Sequence, residues 1–302
     1  MLSYRRHDRV PAAKGYPGLS KLSAQQTLQI TYEMLLGRQP DPNGSGAYLR
    51  ELLSGSMSPQ QLAQWLTASP EWWTVVSFCE LGCSLHMSRS MFVRSLPKAQ
   101  RIMDLGGTSL GHHYGAMVLM GYPYKFDELI VVDLPSEDRN DIYKEGKDHS
   151  RVETHLGPVR YNYHSMVDLS SYPDDSFDLV YSGQSIEHVS QKDGDKVLSE
   201  VLRVLRPGGY FALDTPNARV TRLQQSEFID PDHEYEYTHE EMLEKFAKAG
   251  FDVIEAKGLN YAGTSLENGT YSESDIATAR GLFAEISDCY LLAFLCQAPI
   301  HR

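Results

Sequence analysis

The spacing of apolar and polar residues changes character near residue 98. Between residues 23 and 95, helix start and stop signals recur and no run has the pattern of a strand. Ser23 is placed to cap a helix that ends before Gly37, and Ser58 followed by Pro59 begins another. A hydroxyl at the cap and a proline at the first helical position both suit the free N–H groups there. This region is therefore predicted to be a small all-helical domain.

From residue 98 onward, short β-branched runs alternate with helical patterns, which predicts a mostly parallel sheet covered by helices on both faces. The chain should therefore be an α/β protein preceded by the helical domain. We predict a flexible leader at 1–22, a helical module at 23–95 and a sheet domain at 96–302. The seven expected strands are residues 101–105, 129–133, 159–163, 177–182, 210–215, 251–257 and 290–297.

Composition narrows the class of partner. The 302 residues are 41% hydrophobic and 23% charged, as in folded globular proteins, and carry a net charge of -12. Duplex nucleic acid is bound chiefly through Lys and Arg clusters, and the sequence has none, so no nucleic-acid partner is expected. No apolar run approaches the roughly 20 residues of a membrane span. We therefore expect no membrane span and a cytoplasmic location.

The helical module carries a resemblance of its own. Its turn and apolar positions resemble a small helical domain of unknown function that is related to phycobilisome linkers and recurs on glycan-biosynthesis proteins. The resemblance implies self-association or other protein contacts, and no chemistry. It rests on Tyr32 to Leu36, Gly37, Arg38, Pro40, Asp41, Gly44, Tyr48, Leu52, Leu53, Gly55, Ser69 and Glu71.

A second resemblance begins at the first predicted strand. Asp104, Gly106, Gly107 and Thr108 resemble the first strand and glycine loop of class I S-adenosylmethionine-dependent methyltransferases. A glycine at such a turn lets the backbone approach a ligand closely. The family pattern has further glycines where Thr108 and Leu110 stand. The resemblance implies a Rossmann-like fold, S-adenosylmethionine as cofactor and S-adenosylhomocysteine as product. It also implies cofactor contacts from Asp104, Gly106, Gly107 and Thr108.

The later strand ends extend this predicted cofactor site. Asp133 ends the second apolar strand, where Rossmann-like folds place a carboxylate that binds ribose hydroxyls. Asp168 stands where the family has a residue that accepts a hydrogen bond from the adenine amino group. A carboxylate suits this position, because an amino group that donates needs an acceptor. The remaining cofactor residues that the resemblance implies are Leu134, Val167, Ser182 and Gly183.

The most specific match lies between residues 198 and 217. An amphipathic helix, the turn at 206–209, a strand and the ending Thr215-Pro216-Asn217 closely resemble the methyltransferase segment before the acceptor loop. Proline and glycines at 206–209 are expected to end the helix and reverse the chain. The resemblance covers about residues 98 to 297 and favours the small-molecule group that includes ubiquinone-biosynthesis enzymes.

Glu187 and His188 follow the fourth strand and resemble the Glu-His pair of many small-molecule O-methyltransferases. A hydroxyl that accepts a methyl group must lose its proton, and imidazole suits that task. His188 is the predicted base, with Glu187 beside it and His233 and His239 as fallback candidates near the acceptor cover at 218–236.

A divalent metal is considered but not favoured, and no metal ligand is assigned. Glu187, His188 and Asp214 would be its ligands, as in some sugar and quinone O-methyltransferases. The acidic residue expected three positions before the Glu-His pair is Gln184 here.

The sequence thus predicts an S-adenosylmethionine-dependent methyltransferase that acts on a small-molecule, sugar or glycan hydroxyl. Two alternatives stay open. An NAD(P)-dependent oxidoreductase shares the glycine loop and acidic strand end, although its Tyr-x-x-x-Lys pair would be Tyr143 and Lys147, directly after the second strand. A non-catalytic assembly protein with a degenerate methyltransferase domain would explain the altered glycine loop.

Overall fold

A computed structural model describes residues 23–36, 40, 45–108, 114–139 and 150–301. The predicted leader at 1–22 and the Tyr143–Lys147 pair lie outside the described residues. The chain divides into two compact units, Met1–Cys79 and Glu80–Arg302. Within the described part, no helix combines the length and apolar character that crossing a membrane requires.

The first unit is helical, as predicted. Its core consists of Leu28, Tyr32, Met57, Leu62 and Leu66. Ser58 begins a helix with a capping box, in which its hydroxyl accepts from the Gln61 N–H and the Gln61 side chain accepts from the Ser58 N–H. The helices are α1 (Ala24–Leu36), α2 (Ser45–Ser54), α3 (Pro59–Thr67) and the start of α4 (Pro70–Ser95).

The second unit is built on one mixed sheet, which confirms the predicted Rossmann-like α/β fold. The strands are β1 (Arg101–Leu105), β2 (Glu128–Asp133), β3 (Arg151–Glu153), β4 (Pro158–Tyr163), β5 (Phe177–Gly183), β6 (Leu205–Pro216), β7 (Asp252–Tyr261), β8 (Leu282–Phe283) and β9 (Cys289–Gln297). They pair in the order β3-β4-β2-β1-β5-β6-β9-β7-β8. All seven predicted strands are present, and β3 and β8 are short edge strands that hydrophobic patterning does not reveal.

Strand direction defines one functional edge of the sheet. Strands β4, β2, β1, β5 and β6 run parallel, while β9 lies antiparallel between β6 and β7. The carboxyl ends of the five parallel strands therefore meet at the same edge, which is where ligands bind in open α/β sheets.

Helices cover both faces of the sheet, because alternate residues of each strand point to opposite sides. Ile102 and Leu129 belong to one apolar layer, and Met103 and Ile130 belong to the other. The remaining helices are α5 (Ala116–Leu119), α6 (Gln191–Val204), α7 (Ala218–Gln224), α8 (His239–Ala249), α9 (Gly263–Asn268) and α10 (Glu273–Thr278). The predicted capping box of α8, Thr238 with Glu241, is present.

The segment 206–209 was expected to be a turn, and the structure includes it in β6. The chain reverses at once after α6, because Leu205 already pairs with Phe177. The register then shifts, so that Tyr210 pairs with Leu179. Gly208, with φ +74°, donates its N–H to the Ala298 carbonyl at 3.1 Å. Proline and glycine therefore form an irregular strand start in place of a separate turn.

The sheet unit begins inside α4, earlier than the predicted boundary after residue 95. The Ser84 hydroxyl donates to the Ala277 carbonyl at 2.6 Å and accepts from the Asn260 side-chain amide at 2.8 Å. Ser88 accepts from the Gly281 N–H at 2.9 Å. Phe92 is buried in the apolar layer that contains Ile102. The second half of α4 is thus part of the sheet unit.

We expect a chain that begins at Glu80 to fold, and one that begins at Lys98 to be much less stable. The shorter chain loses the burial of Phe92, Val93 and Leu96, each worth about 1.5–3 kcal/mol. Urea unfolding of the two truncated chains measures this difference. Equal free energies of unfolding would show that α4 is dispensable for the sheet unit.

Candidate active site

The glycine turn after β1 is closely packed on its inner side. Gly106 has φ +68°, and its N–H donates to the Val132 carbonyl at 2.8 Å. A Cβ atom at Gly106 would lie 2.5 Å from Cβ of Ser185, and one at Gly107 would lie 2.4 Å from Cγ of Asp104. Only glycine fits at both positions, so the turn brings bare backbone to the edge where the parallel strands end.

Asp133 ties this turn to the end of β2. Its Oδ2 accepts from the Thr108 N–H at 3.0 Å, and its Oδ1 accepts from the Leu134 N–H at 2.8 Å. Each carboxylate oxygen has a second lone pair, so the group can still accept from a ligand hydroxyl. The Thr108 hydroxyl is buried and has no hydrogen-bond partner within the described residues.

Asp104 lies beneath the turn and is only 1% exposed. Its Oδ2 accepts from the Met117 N–H at 2.9 Å and so fixes the start of α5. Burial raises the pKa of Asp104 to about 7, against the lowering effect of that hydrogen bond. Its position indicates support of the turn, and direct contact with a cofactor stays a prediction.

The other predicted cofactor residues lie on the segments after β4 and at the end of β5. Asp168 is exposed, and hydrogen bonds from Ser170 hold the pKa of its carboxyl below the usual value. Val167 is half-buried and donates its N–H to the Ser165 hydroxyl at 3.2 Å. Ser182 is buried, and its hydroxyl pairs with that of Ser185 at 2.7 Å.

A charge network that the sequence did not suggest lies beside Gly183. Asp214 at the end of β6 is fully buried and accepts from Arg89 Nε at 2.6 Å, Tyr181 Oη at 2.5 Å and Gln184 Nε2 at 2.9 Å. Burial alone would lower the pKa of Arg89, but the Asp214 charge outweighs it and raises that pKa. A Cβ atom at Gly183 would lie 2.7 Å from Nη2 of Arg89. Arg89 on α4 therefore reaches the end of β5.

Glu187, His188 and His233 form a cluster in which one potential ligand atom from each lies within 4.8 Å of the others. Glu187 is fully buried, and its Oε2 accepts from the Thr215 hydroxyl at 3.0 Å. Its Oε1 has no hydrogen-bond partner among the described residues. Burial raises the pKa of Glu187 to about 7.

His188 is exposed and oriented by the backbone. Its Nδ1 lies 3.1 Å from the Asp232 carbonyl, which can only accept, so Nδ1 carries the proton and Nε2 keeps its lone pair. Burial of part of the ring and the neighbouring His233 lower the pKa of His188. A neutral His188 is therefore favoured at pH 7.

His233 is held by a buried carboxylate. Its Nδ1 lies 2.7 Å from Oε1 of Glu236, which also accepts from the Ile229 N–H at 2.9 Å. The other oxygen of Glu236 accepts from the Thr221 hydroxyl at 2.5 Å and from Nη1 of Arg222 at 3.2 Å. Burial works to lower the pKa of His233, but the bond to Glu236 and the nearby Glu187 charge raise it.

His239 and Asp214 do not belong to this cluster. His239 begins α8, stacks on Phe294 with ring centroids 5.8 Å apart and pairs with the Ser287 hydroxyl at 3.2 Å. Asp214 is engaged by the Arg89 network, and Gln184 bonds to it. The expected set of metal ligands was Glu187, His188 and Asp214. In the structure the third member of the cluster is His233, and Asp214 is not part of it.

The sequence analysis did not identify two supporting residues, Glu236 and Arg89. The spacing of His233 and Glu236, three positions apart, was an available signal, because a carboxylate at that distance can reach the imidazole. Nothing in the sequence marks Arg89, since its partner Asp214 is 125 positions away.

Part of the chain is similar in sequence to methyltransferases. Residues 117–213 match a family described as "Methyltransferase domain". A probable S-adenosylmethionine-dependent methyltransferase of Mycolicibacterium smegmatis is 38% identical over 87 residues, which are 29% of this chain and 33% of that protein. The ubiquinone/menaquinone biosynthesis C-methyltransferase UbiE of Hydrogenovibrio crunogenus is 39% identical over 64 residues, which are 21% of this chain and 24% of that protein. The chain thus spans a third or less of these relatives.

Structure comparison agrees on the fold. A Haloferax volcanii protein classed as a methyltransferase, solved in complex with the Trm112 methyltransferase activator, superposes with a TM-score of 0.51 at 18% identity. The match covers 76% of this chain and 97% of that one. Together with the matched segment, this supports a class I S-adenosylmethionine-dependent methyltransferase fold for the sheet unit.

We expect Asp104→Asn to flatten the pH dependence of stability. Between about pH 4 and pH 7 the folded protein keeps the Asp104 proton that the unfolded chain releases, because the folded pKa is about 7 against an ordinary 3.8. The free energy of unfolding therefore falls as pH rises, by up to about 1.4 kcal/mol per pH unit from this group. Urea unfolding of both proteins from pH 4 to 8 measures the slope. Parallel curves would contradict a raised pKa at Asp104.

Proposed function

We propose that this protein transfers a methyl group from S-adenosylmethionine to a hydroxyl of a small molecule, a sugar or a glycan. The observation that carries the cofactor site is the bond from the Thr108 N–H to the Asp133 carboxylate at 3.0 Å, and the methyltransferase-domain match of residues 117–213 favours S-adenosylmethionine over NAD(P) there. The bond joins a glycine turn that exposes its backbone to an acidic strand end at the ligand-binding edge. This is the frame that a nucleoside cofactor requires.

The residues present suit S-adenosylmethionine. Asp133 retains acceptor capacity for ribose hydroxyls, and the exposed, ionised carboxylate of Asp168 offers acceptor oxygens to an amino group. Backbone at 106–107 lets a ligand approach without side-chain obstruction. Bound there, the cofactor supplies an electrophilic methyl group on a positively charged sulfur.

Removal of the acceptor proton is the task of the cluster at the end of β5. A neutral hydroxyl is a poor nucleophile, and the lone pair on Nε2 of His188 is suited to receive its proton. The exposed ring of His188 lies where an acceptor can enter, whereas His239 is engaged by Ser287.

The glycan preference rests on the resemblance of the helical module to domains on glycan-biosynthesis proteins. No observation among the described residues favours the oxidoreductase or the assembly protein. Binding measurements with S-adenosylhomocysteine and with NAD(H) test the proposal against both alternatives. We expect measurable affinity for S-adenosylhomocysteine and none for NAD(H).

We expect Asp133→Ala to weaken S-adenosylhomocysteine binding. A charge-assisted hydrogen bond contributes about 1.5–3 kcal/mol, or about 10- to 150-fold in Kd. Calorimetry on the variant, with Asp127→Ala as the matched control, measures the change, because Asp127 is an exposed aspartate just before the opposite end of β2. Unchanged affinity would remove Asp133 from the cofactor site.

We expect His188→Ala to lower turnover by about 10²- to 10⁴-fold while leaving cofactor affinity nearly intact. The residue is exposed and its ring contacts that of His233 within the same cluster, so the variant should fold. His155→Ala, at an exposed histidine outside the cluster, is the control. Full turnover in His188→Ala with an accepted substrate would exclude His188 from the proton transfer.

A further inference from the structure

The geometry points to a divalent-cation site formed by Glu187, His188 and His233. A carboxylate oxygen and two imidazole nitrogens, one from each residue, lie within 4.8 Å of one another at the ligand-binding edge of the sheet. Two histidines and one carboxylate form a donor set that binds first-row cations such as Zn²⁺, and three protein ligands leave a coordination position open for a substrate. Nitrogen donors disfavour Mg²⁺ and Ca²⁺, which prefer oxygen.

Both imidazoles are oriented as metal-binding histidines are. Nδ1 of His188 faces the Asp232 carbonyl at 3.1 Å, and Nδ1 of His233 faces the Glu236 carboxylate at 2.7 Å. Each of these partners holds the Nδ1 proton, so that in the neutral ring Nε2 carries the lone pair that a cation needs. Because the pKa of His233 is raised, a cation that binds there displaces a proton. Metal-binding histidines usually donate their other N–H to a carbonyl or a carboxylate in this way.

Glu187 supplies an independent observation. It is fully buried, yet its Oε1 has no hydrogen-bond partner within the described residues. Its other oxygen is held by the Thr215 hydroxyl at 3.0 Å, which orients the carboxylate. A buried polar atom without a partner is costly, and coordination to a cation would remove that cost. Asp104 and Thr108 also have such an atom, but Glu187 is the one of the three that lies in the cluster with two histidines.

Binding requires only a small contraction of the cluster. Bonds of about 2.0–2.2 Å to one cation place ligand atoms about 3–3.5 Å apart. The atoms are within 4.8 Å here, so they approach by roughly an ångström. The exposed ring of His188 can make that movement, while Glu236 anchors His233.

The role of the cation in catalysis rests on the proposed function, but the site itself does not. A cation at this position would lower the pKa of a hydroxyl that binds to it, and the proton would then pass to water instead of to His188. His188 then acts as a ligand, and loss of turnover in His188→Ala is expected in either case. Metal binding is therefore the measurement that separates a ligand from a base.

The test uses untagged full-length protein treated with a chelator and then titrated with Zn²⁺ in a calorimeter. Absorption spectra with Co²⁺ report the coordination sphere. We expect one equivalent of Zn²⁺ to bind with micromolar or tighter affinity. An excess of Mg²⁺ should not displace it. Glu187→Gln, which keeps the shape of the buried side chain, and His233→Ala should each abolish this binding.

Two further variants sharpen the result. Glu236→Gln leaves all three ligands in place and should weaken affinity by about 10- to 100-fold, because it removes only the partner of His233. His155→Ala should bind as the unaltered protein does. The absence of stoichiometric binding, or equal binding in the His155→Ala, Glu187→Gln and His233→Ala variants, would overturn the site. Methyl transfer that persists in the presence of chelator would leave the proposed function standing while rejecting the role of the cation.

Discussion

The complete burial of Asp214 constrains much of the sheet unit. A carboxylate without solvent is stable only when charge and hydrogen-bond partners surround it. Arg89 supplies the charge from α4, and Tyr181 and Gln184 supply hydrogen bonds from the end of β5. Removal of any one partner would leave part of the charge uncompensated. This requirement joins the helix that precedes the sheet to the two strands at its centre.

The same constraint shapes the candidate site. Gln184 adopts φ +54°, an uncommon value for a residue with a side chain, and both its backbone N–H and its side chain bond to Asp214. This bend directs the chain into the segment that presents Glu187 and His188. The side chain of Gln184 is thereby unavailable to the cluster. Arg89 and Asp214 thus act on the site by fixing the backbone that precedes the Glu-His pair.

Two buried carboxyl groups with raised pKa values lie near the edge where the parallel strands end. Burial raises the pKa of both Asp104 and Glu187 to about 7, yet their surroundings differ. Asp104 supports the glycine turn through the Met117 N–H, and its Oδ1, like Oε1 of Glu187, has no hydrogen-bond partner among the described residues. Glu187 differs because potential ligand atoms of two histidines lie within 4.8 Å of its carboxylate. A perturbed, incompletely bonded carboxyl group therefore indicates a cation site only where other potential ligands lie beside it.

Much of the fold was predictable from the sequence because its signals are local. Strand periodicity, the Ser58 and Thr238 caps and the apolar face of α6 depend on neighbours within a few residues. The position of Asp133 was predictable for the same reason, because it directly follows an apolar run that forms a strand. Parallel strands then align their carboxyl ends at one edge. The two edge strands and the irregular start of β6 were missed, because two or three residues carry no period and bulge formation depends on the pairing strand.

The sequence by itself determined the fold class, the positions of seven strands along the chain, and the residue types at the strand ends. Only the tertiary structure decided which of those residues meet. His233 reaches Glu187 because the segment before α8 folds back over the end of β5, where the Glu234 and Tyr235 N–H groups bond to the Glu187 carbonyl at 2.8 and 3.1 Å. Arg89 reaches Asp214 because α4 packs on the sheet. Such contacts join residues far apart in the chain, and their energies depend on burial and direction, which no local pattern of residues records.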